Sequence, residues 1–221
     1  VGDPYKRIKE DYLRILRALR FASRYDFKIE EDSFNCIKML STSLWRVSSE
    51  RVYNEIKQIL SKESGQKLFK EANLHARIFG DYSNYETRDK SGLSFEGFVA
   101  FLLSSQPNNW EKALKALSFE AKAVKGILRR IQACEAIYVE SVSGDESDVL
   151  AMCFHYYDVM DDVAIMSGFK KPLPPLPEQL VFAADLMPLG INGKALGDKL
   201  KELREVQFLN PEITKGELLK S

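Results

Sequence analysis

Apolar residues recur at helical spacing along nearly the whole chain. From Lys6 to Tyr25 one stripe carries Ile8, Tyr12, Ile15, Leu16, Leu19 and Ala22 at about 100° per residue, which predicts a single amphipathic helix. A second helix is predicted after Asp32, with Phe34, Ile37, Met39, Leu40 and Leu44 as its apolar side. Ser48 and Ser49 are good N-cap types, and Glu50 places an anion in the first turn. A third helix is therefore predicted to start there and to bury Val52, Tyr53, Ile56, Ile59 and Leu60. These three helices read as one module.

The pattern then becomes mixed. Glu63 to Leu74 reads as a helix, and the tyrosine-bearing run from Gly80 to Gly92 as a loop. Further helices are predicted at Ser94 to Ser104, Asn109 to Leu117, Phe119 to Val139 and Asp145 to Ser167. Lys171-Pro-Leu-Pro-Pro-Leu-Pro177 cannot continue a helix and favours an extended spacer. A short helix near Glu178 to Leu186, a glycine-bearing turn and a helix from about Gly193 to Phe208 follow. No strand alternation persists, so the class is all-α. No fixed period supports a solenoid.

Composition changes this picture little. The 221 residues suffice for one large domain or two to four small helical modules. With 32 basic and 32 acidic residues the net charge is zero, so a nucleic-acid surface would have to be a local patch. Cys36, Cys134 and Cys153 are far apart and form no CxxC or Cys/His cluster, which argues for reduced thiols in a cytoplasmic protein. There is no run of about 18 apolar residues and no signal-peptide pattern. The chain begins at Val1, and its first segment reads like the interior of a longer protein.

The candidate chemistry lies on the face of the first predicted helix opposite its apolar stripe. Arg7, Glu10, Asp11, Arg14, Arg17, Ala18, Phe21 and Arg24 fall there, with Arg14 between the carboxylates of Glu10 and Asp11. Carboxylate acceptors beside a guanidinium fork match the edge of a nucleobase, the Arg donating to ring acceptors and the Asp accepting from an exocyclic amine. Taken alone, Glu10 and Arg14 are equally an ordinary i,i+4 ion pair worth about 0.2–0.5 kcal/mol.

The longer string decides between them. Val1-Gly-Asp-Pro-Tyr-Lys-Arg-Ile-Lys-Glu-Asp-Tyr-Leu-Arg-Ile-Leu-Arg-Ala-Leu-Arg-Phe-Ala22 resembles the junction of head and neck in the class II tRNA nucleotidyltransferase and bacterial poly(A) polymerase family. That family carries Gly-Asp-Pro followed by R…EDxLRxLRxxRFA. The likeness continues through Tyr25-Asp-Phe-Lys-Ile and Val47-Ser-Ser-Glu-Arg-Val-Tyr-Asn-Glu55. The resemblance implies an elongated multi-helix array: a nucleotide-selecting neck over 1–62, a body over 63–170 and a tRNA-contacting tail over 171–221. It further implies that Asp11 and Arg14 read the base of incoming CTP or ATP and that Glu10 orients Arg14. By the same resemblance Arg17 approaches the phosphates or the primer, and Asp3 and Pro4 lie in the hinge. Glu50, Arg51 and Glu55 match a segment that stiffens the neck.

The implied chemistry is phosphoryl transfer onto a tRNA 3′-hydroxyl with Mg2+ held by paired carboxylates in a GS…DxD segment of the head. No such segment occurs here, so this stretch is expected to be inactive alone. Asp158, Asp161 and Asp162 near His155 read as a solvated or capping acidic face rather than a metal site, and neither His75 nor His155 is assigned a role.

Leu117 to Ile131 resembles the body helix of the family, and Lys122, Lys125 and Arg129 recur on it at i, i+3 and i+7 as a candidate RNA-backbone stripe, a solvated face being the alternative. Leu186 to Arg204 resembles the family tail. Its Gly190 and Gly193 precede a helix start whose N–H groups suit a phosphate, with Lys194 beside them. Tyr82, Tyr85 and Arg88 are read as a loop with aromatic anchors. The expected partner is tRNA, and no membrane is expected. The rival readings are a poly(A) polymerase of the same family and a stand-alone helical RNA-binding module.

Overall fold

A computed structural model of the chain describes residues 2–79, 92–103, 110–143, 146–167 and 174–221. The described residues contain fourteen α-helices and no strand, so the all-α expectation holds. Two compact units are formed: Val1–Gln132 with Asp161–Gly168, and Ala133–Met160 with Phe169–Ser221.

The first unit begins with α1 (Pro4–Glu10) and α2 (Leu13–Tyr25). Pro4 at the helix start needs no N–H partner, and Asp3 caps it by accepting from Tyr5 N at 2.9 Å. The single helix predicted over Lys6 to Tyr25 is therefore two. Asp11 leaves helical geometry (φ −152°, ψ 105°), and its Oδ1 accepts from Leu13 N at 3.1 Å. Asp competes well for backbone N–H groups outside helices, so it ends one helix and starts the next. The apolar stripe is unaffected: Ile15, Leu16 and Leu19 are fully buried.

Next come α3 (Glu31–Leu40), a 3₁₀ turn over Ser41–Arg46, and α4 (Ser49–Leu60). All five apolar residues predicted for α4 are buried. Ser48 occupies its N-cap position without a side-chain bond to the helix. In α3, Ile37 and Leu40 are buried, but Met39 is 58% exposed, against its expected place on the apolar side. It lies two positions past Ile37, on a flank the core does not reach.

Helices α5 (Glu63–Glu71), α6 (Leu74–Phe79), α7 (Phe95–Leu103) and α8 (Trp110–Ala116) complete most of this unit. Tyr53, Phe79 and Phe95 surround Phe119, the nearest being Tyr53 at a centroid distance of 4.8 Å. The unit boundary at Gln132 falls within α9 (Ala121–Ser143).

In the predicted helix over Asp145 to Ser167, the structure has α10 (Glu146–His155), a 3₁₀ turn over Tyr157–Val159 and α11 (Met160–Ser167). In the second unit, α12 (Ala183–Leu186) is shorter than the helix expected from Glu178, and residues 178–182 form no regular element. Gln207 Nε2 donates to the Glu178 carbonyl at 2.5 Å, taking an acceptor that a helix would have used. Val181, Leu186, Leu203 and Leu218 make a small core joining α12, α13 (Gly193–Leu209) and α14 (Lys215–Leu218). None of the three cysteines, Cys36, Cys134 and Cys153, is in a disulfide. No helix among the described residues is long and apolar enough to cross a membrane. Of the run from Gly80 to Gly92 expected to be a loop, all but Gly92 lies outside the described residues, Tyr82, Tyr85 and Arg88 included, as does the start of the proline-rich stretch.

Candidate nucleotide and nucleic-acid interface

The break at Asp11 builds the site. Glu10 is the last residue of α1, and Arg14 lies in the first turn of α2. Arg14 Nη1 donates to Glu10 Oε2 at 2.6 Å and to the Arg7 carbonyl at 2.5 Å. That carbonyl belongs to the last turn of α1, so the guanidinium bridges the break. Arg7 also contacts Glu10 Oε2 at 2.9 Å. Arg14's hydrogen bond is the main cause holding the Glu10 carboxyl below its ordinary value of 4.5; slight burial opposes it, and the charges of Arg7 and Arg14 add to it.

Asp11 is fixed from the other side. Its Oδ2 lies 3.3 Å from Arg51 Nη2 on α4, while its Oδ1 caps α2. Glu10, Asp11 and Arg14 are thus brought together at a helix junction, rather than along one helix face as the spacing predicted.

Arg17 lies farther along α2, its Nε 3.4 Å from Glu55 Oε1. Arg20 Nε sits 3.2 Å from Glu55 Oε2, an ion pair without hydrogen-bond alignment. Glu55 is buried, so it anchors both arginines to α4. Arg20 and the pairing role of Glu55 were not readable from spacing. The signal was present in the tertiary match of α2 to α4, which one sequence does not display.

Beyond these residues α2 carries an aromatic ladder. Phe21 and Tyr25, four residues apart on the exposed side, stack at 6.2 Å and 12°. Asp26 then takes the left-handed conformation (φ 56°, ψ 39°), and Phe27 N donates back to the Ala22 carbonyl at 3.0 Å. This turn folds Phe27 onto Tyr25 at 5.6 Å and 28°. The Arg20 and Arg24 guanidiniums cover Phe21 and Tyr25 at 4.6 and 5.5 Å. Phe21 stood among the arginines in the sequence pattern; an aromatic on a charged face was the available signal.

The remaining predicted residues are dispersed. Lys122 and Lys125 are exposed on α9 and Arg129 is half-buried. Lys125 and Arg129, together with Lys115, line a groove of about 500 Å³ floored by Phe119, Val124 and Leu128; Lys122 does not line it. Gly193 opens α13 with φ 60°, Asn192 makes no side-chain cap, and Lys194 is exposed.

Among the described residues no group of three or more His, Cys, Asp and Glu side chains is arranged to hold a metal ion. Asp162, expected on a solvated or capping acidic face, is instead buried. It accepts from Ser94 N at 2.7 Å, Ser94 Oγ at 2.5 Å and Arg130 Nε at 2.6 Å. These partners absorb its charge.

Comparison with known proteins agrees with this architecture. Residues 26–82 match the family described as the probable RNA and SrmB-binding site of polymerase A. The CCA-adding enzyme of Ligilactobacillus salivarius (strain UCC118) is 27% identical over 243 aligned positions, covering 95% of this chain and 58% of that enzyme. A CCA-adding enzyme solved with CTP shares the fold at a TM-score of 0.61 and 16% identity, covering 96% of this chain and 59% of the other. The Thermotoga maritima CCA-adding enzyme complexed with tRNA_CCA aligns at a TM-score of 0.52 and 17% identity, with 96% and 62% covered. The chain spans about half the length of the curated relatives it matches. With the EDxxR string at its helix junction and relatives matched along nearly its full length, the chain is similar to CCA-adding enzymes, and its residues 26–82 match the polymerase A RNA-binding family.

Proposed function

We propose that this chain is the RNA-binding and nucleotide-selecting region of a tRNA nucleotidyltransferase that adds CCA to tRNA 3′ ends from CTP and ATP. The observation that carries the reading is the fixed junction: Glu10 holds the Arg14 fork at 2.6 Å while Arg51 and the start of α2 hold Asp11. A guanidinium and a carboxylate held in this way form a protein template, donating to a ring acceptor and accepting from the exocyclic amine that cytosine and adenine share. Because its partners are protein groups, the pair needs no reorganisation when the base arrives. Arg17 lies farther along the same helix and would face the triphosphate or primer. Lys122, Lys125, Arg129, Gly193 and Lys194 would contact the tRNA backbone, in a division into neck (1–62), body (63–170) and tail (171–221).

Mg2+ supplies Lewis acidity for phosphoryl transfer in this chemistry. The carboxylates described here do not fit it: Asp162 is consumed by Ser94 and Arg130, Asp11 already faces the Arg51 cation, and no group of three or more His, Cys, Asp and Glu side chains among the described residues could hold a metal ion. The metal would belong to a head domain, and no step is assigned to these residues through it.

The test is extension of a tRNA transcript ending before CCA by the intact gene product with CTP and ATP, sized at single-nucleotide resolution. Addition of three nucleotides, lost in Arg14→Ala while tRNA binding persists, is the expected result. A long ladder would identify a poly(A) polymerase instead, and no extension a binding module. Extension by Arg14→Ala at the wild-type rate would remove the template role.

A further inference from the structure

We propose that Phe21, Tyr25 and Phe27 form a stacking platform for single-stranded RNA, a site separate from the base-reading pair at Asp11 and Arg14. The proposal rests on the RNA-handling reading of the chain but not on nucleotide selection.

Three large aromatics stacked on a surface need explaining, because exposed contiguous apolar area is uncommon unless something binds there. Phe21 is 43% exposed, Tyr25 52% and Phe27 66%. The rings are near-parallel in sequence order, at 12° and 28°, so they form one continuous aromatic column along the surface. Two devices hold the column in place: the four-residue spacing on α2 and the left-handed Asp26 that returns Phe27 to Tyr25.

The surrounding charge identifies the occupant. Arg20 and Arg24 stack on the first two rings, and Lys28 follows Phe27 on the exposed surface. Together with Arg17 they make a row of arginines along α2 that ends at the ladder. Aromatic faces beside such a row suit a strand that offers bases on one side and phosphates on the other. An apolar protein partner would use the rings but gain nothing from the cations. A duplex would use the cations, but its bases are closed to the rings.

Past Phe27 lies a groove of about 570 Å³ floored by Ile29, Phe34 and Leu68 and rimmed by Glu30, Glu31 and Glu71. Its carboxylates repel phosphate, so the strand's backbone runs on the arginine side. Glu30 is occupied in capping α3, accepting from Asp32 N and Ser33 N.

The experiment is fluorescence anisotropy of labelled oligoadenylate with the full chain, competed by a duplex RNA and by a tRNA transcript. Tyr25→Ala should weaken oligoadenylate binding roughly ten-fold, as expected for losing one stacked base, and Tyr25→Trp should restore it. Ring removal should leave the salt slope unchanged, whereas Arg24→Gln should lower it by about one phosphate contact. Ultraviolet crosslinking should attach the oligomer to the peptide bearing Phe21, Tyr25 and Phe27. The rings are exposed, so thermal melts of the variants should match the wild type.

Equal binding by Tyr25→Ala and the wild type, or full competition by duplex RNA, overturns the platform and leaves the broader reading intact. Failure of the wild-type chain to bind any of the RNAs overturns both. Loss of nucleotide choice in Arg14→Ala with oligoadenylate binding intact would show the two sites to be distinct.

Discussion

Arg14 Nη1 lies 2.6 Å from Glu10 Oε2 across the break at Asp11, so the last side chain of α1 fixes a guanidinium borne by the first turn of α2. The orientation of the residue proposed to read the base is thereby tied to the junction of two helices. Removing Glu10 frees Arg14 to turn, and the loss should appear in nucleotide use before it appears in folding.

Glu10→Ala in the intact protein should lower C and A incorporation roughly ten-fold with tRNA affinity unchanged, as loss of one charge-assisted hydrogen bond implies. Arg14→Lys should not restore activity, because an ammonium lacks the planar fork. A wild-type rate for Glu10→Ala would mean that the break itself holds Arg14. The pH dependence has a definite sign. Glu10 titrates below 4.5 in the folded chain, so its grip on Arg14 is complete above that value and is lost as pH falls through the lower folded value. A carbon NMR titration of Glu10 should move upward in Arg14→Ala; an unmoved midpoint would discard the coupling.

Glu55 separates two arginines that look alike in sequence. The Arg20 side chain is 21% exposed and that of Arg17 46%, while Glu55 itself is 8% exposed. Arg20→Ala leaves a buried carboxylate with its more solvated partner and should cost about 2–3 kcal/mol. Arg17→Ala should cost less than about 1 kcal/mol, since water screens that pair. Urea midpoints at constant slope measure both. Equal losses would mean that the two arginines share Glu55 evenly.

Asp26→Gly tests the turn that ends α2. Asp26 holds φ 56°, a region where glycine carries no Cβ penalty. The replacement should raise stability by about 0.5–1 kcal/mol, and Asp26→Val should lower it by at least as much. A lower melting temperature for the glycine variant would mean that the Asp26 side chain supplies more than the conformation does.

Much of the fold was readable because local pattern and tertiary burial agree. The stripe of α4 is buried residue for residue, and α13 runs from Gly193 as its turn chemistry implied. The candidate site was partly readable: the spacing grouped Glu10, Asp11 and Arg14, which the structure also brings together, but their setting at a helix junction was not readable. Periodicity counts apolar positions, and the stripe passes through Asp11 unbroken, so the capping bond that splits the helix leaves no mark on it. The break at Tyr156 to Val159 is hidden for the same reason. Asp162 was misplaced because its partners Ser94 and Arg130 lie 68 and 32 residues away, beyond any local rule.

That buried carboxylate gives the sharpest test of packing. A Cβ on Gly97 would stand 2.3 Å from Asp162 Oδ1, so the absent side chain leaves room for the charge to reach Ser94 and Arg130. Gly97→Ala should cost about 1–3 kcal/mol by displacing the carboxylate. Asp162→Ala should cost about 3 kcal/mol or more by leaving Arg130, 14% exposed, without its partner. The two losses share one cause, so they should not add. In the Asp162→Ala background the Gly97→Ala step should be nearly neutral, a coupling of about 1–3 kcal/mol in a double-mutant cycle. Additive losses would place the Gly97 requirement elsewhere, in the packing of α7, and would detach it from the buried charge.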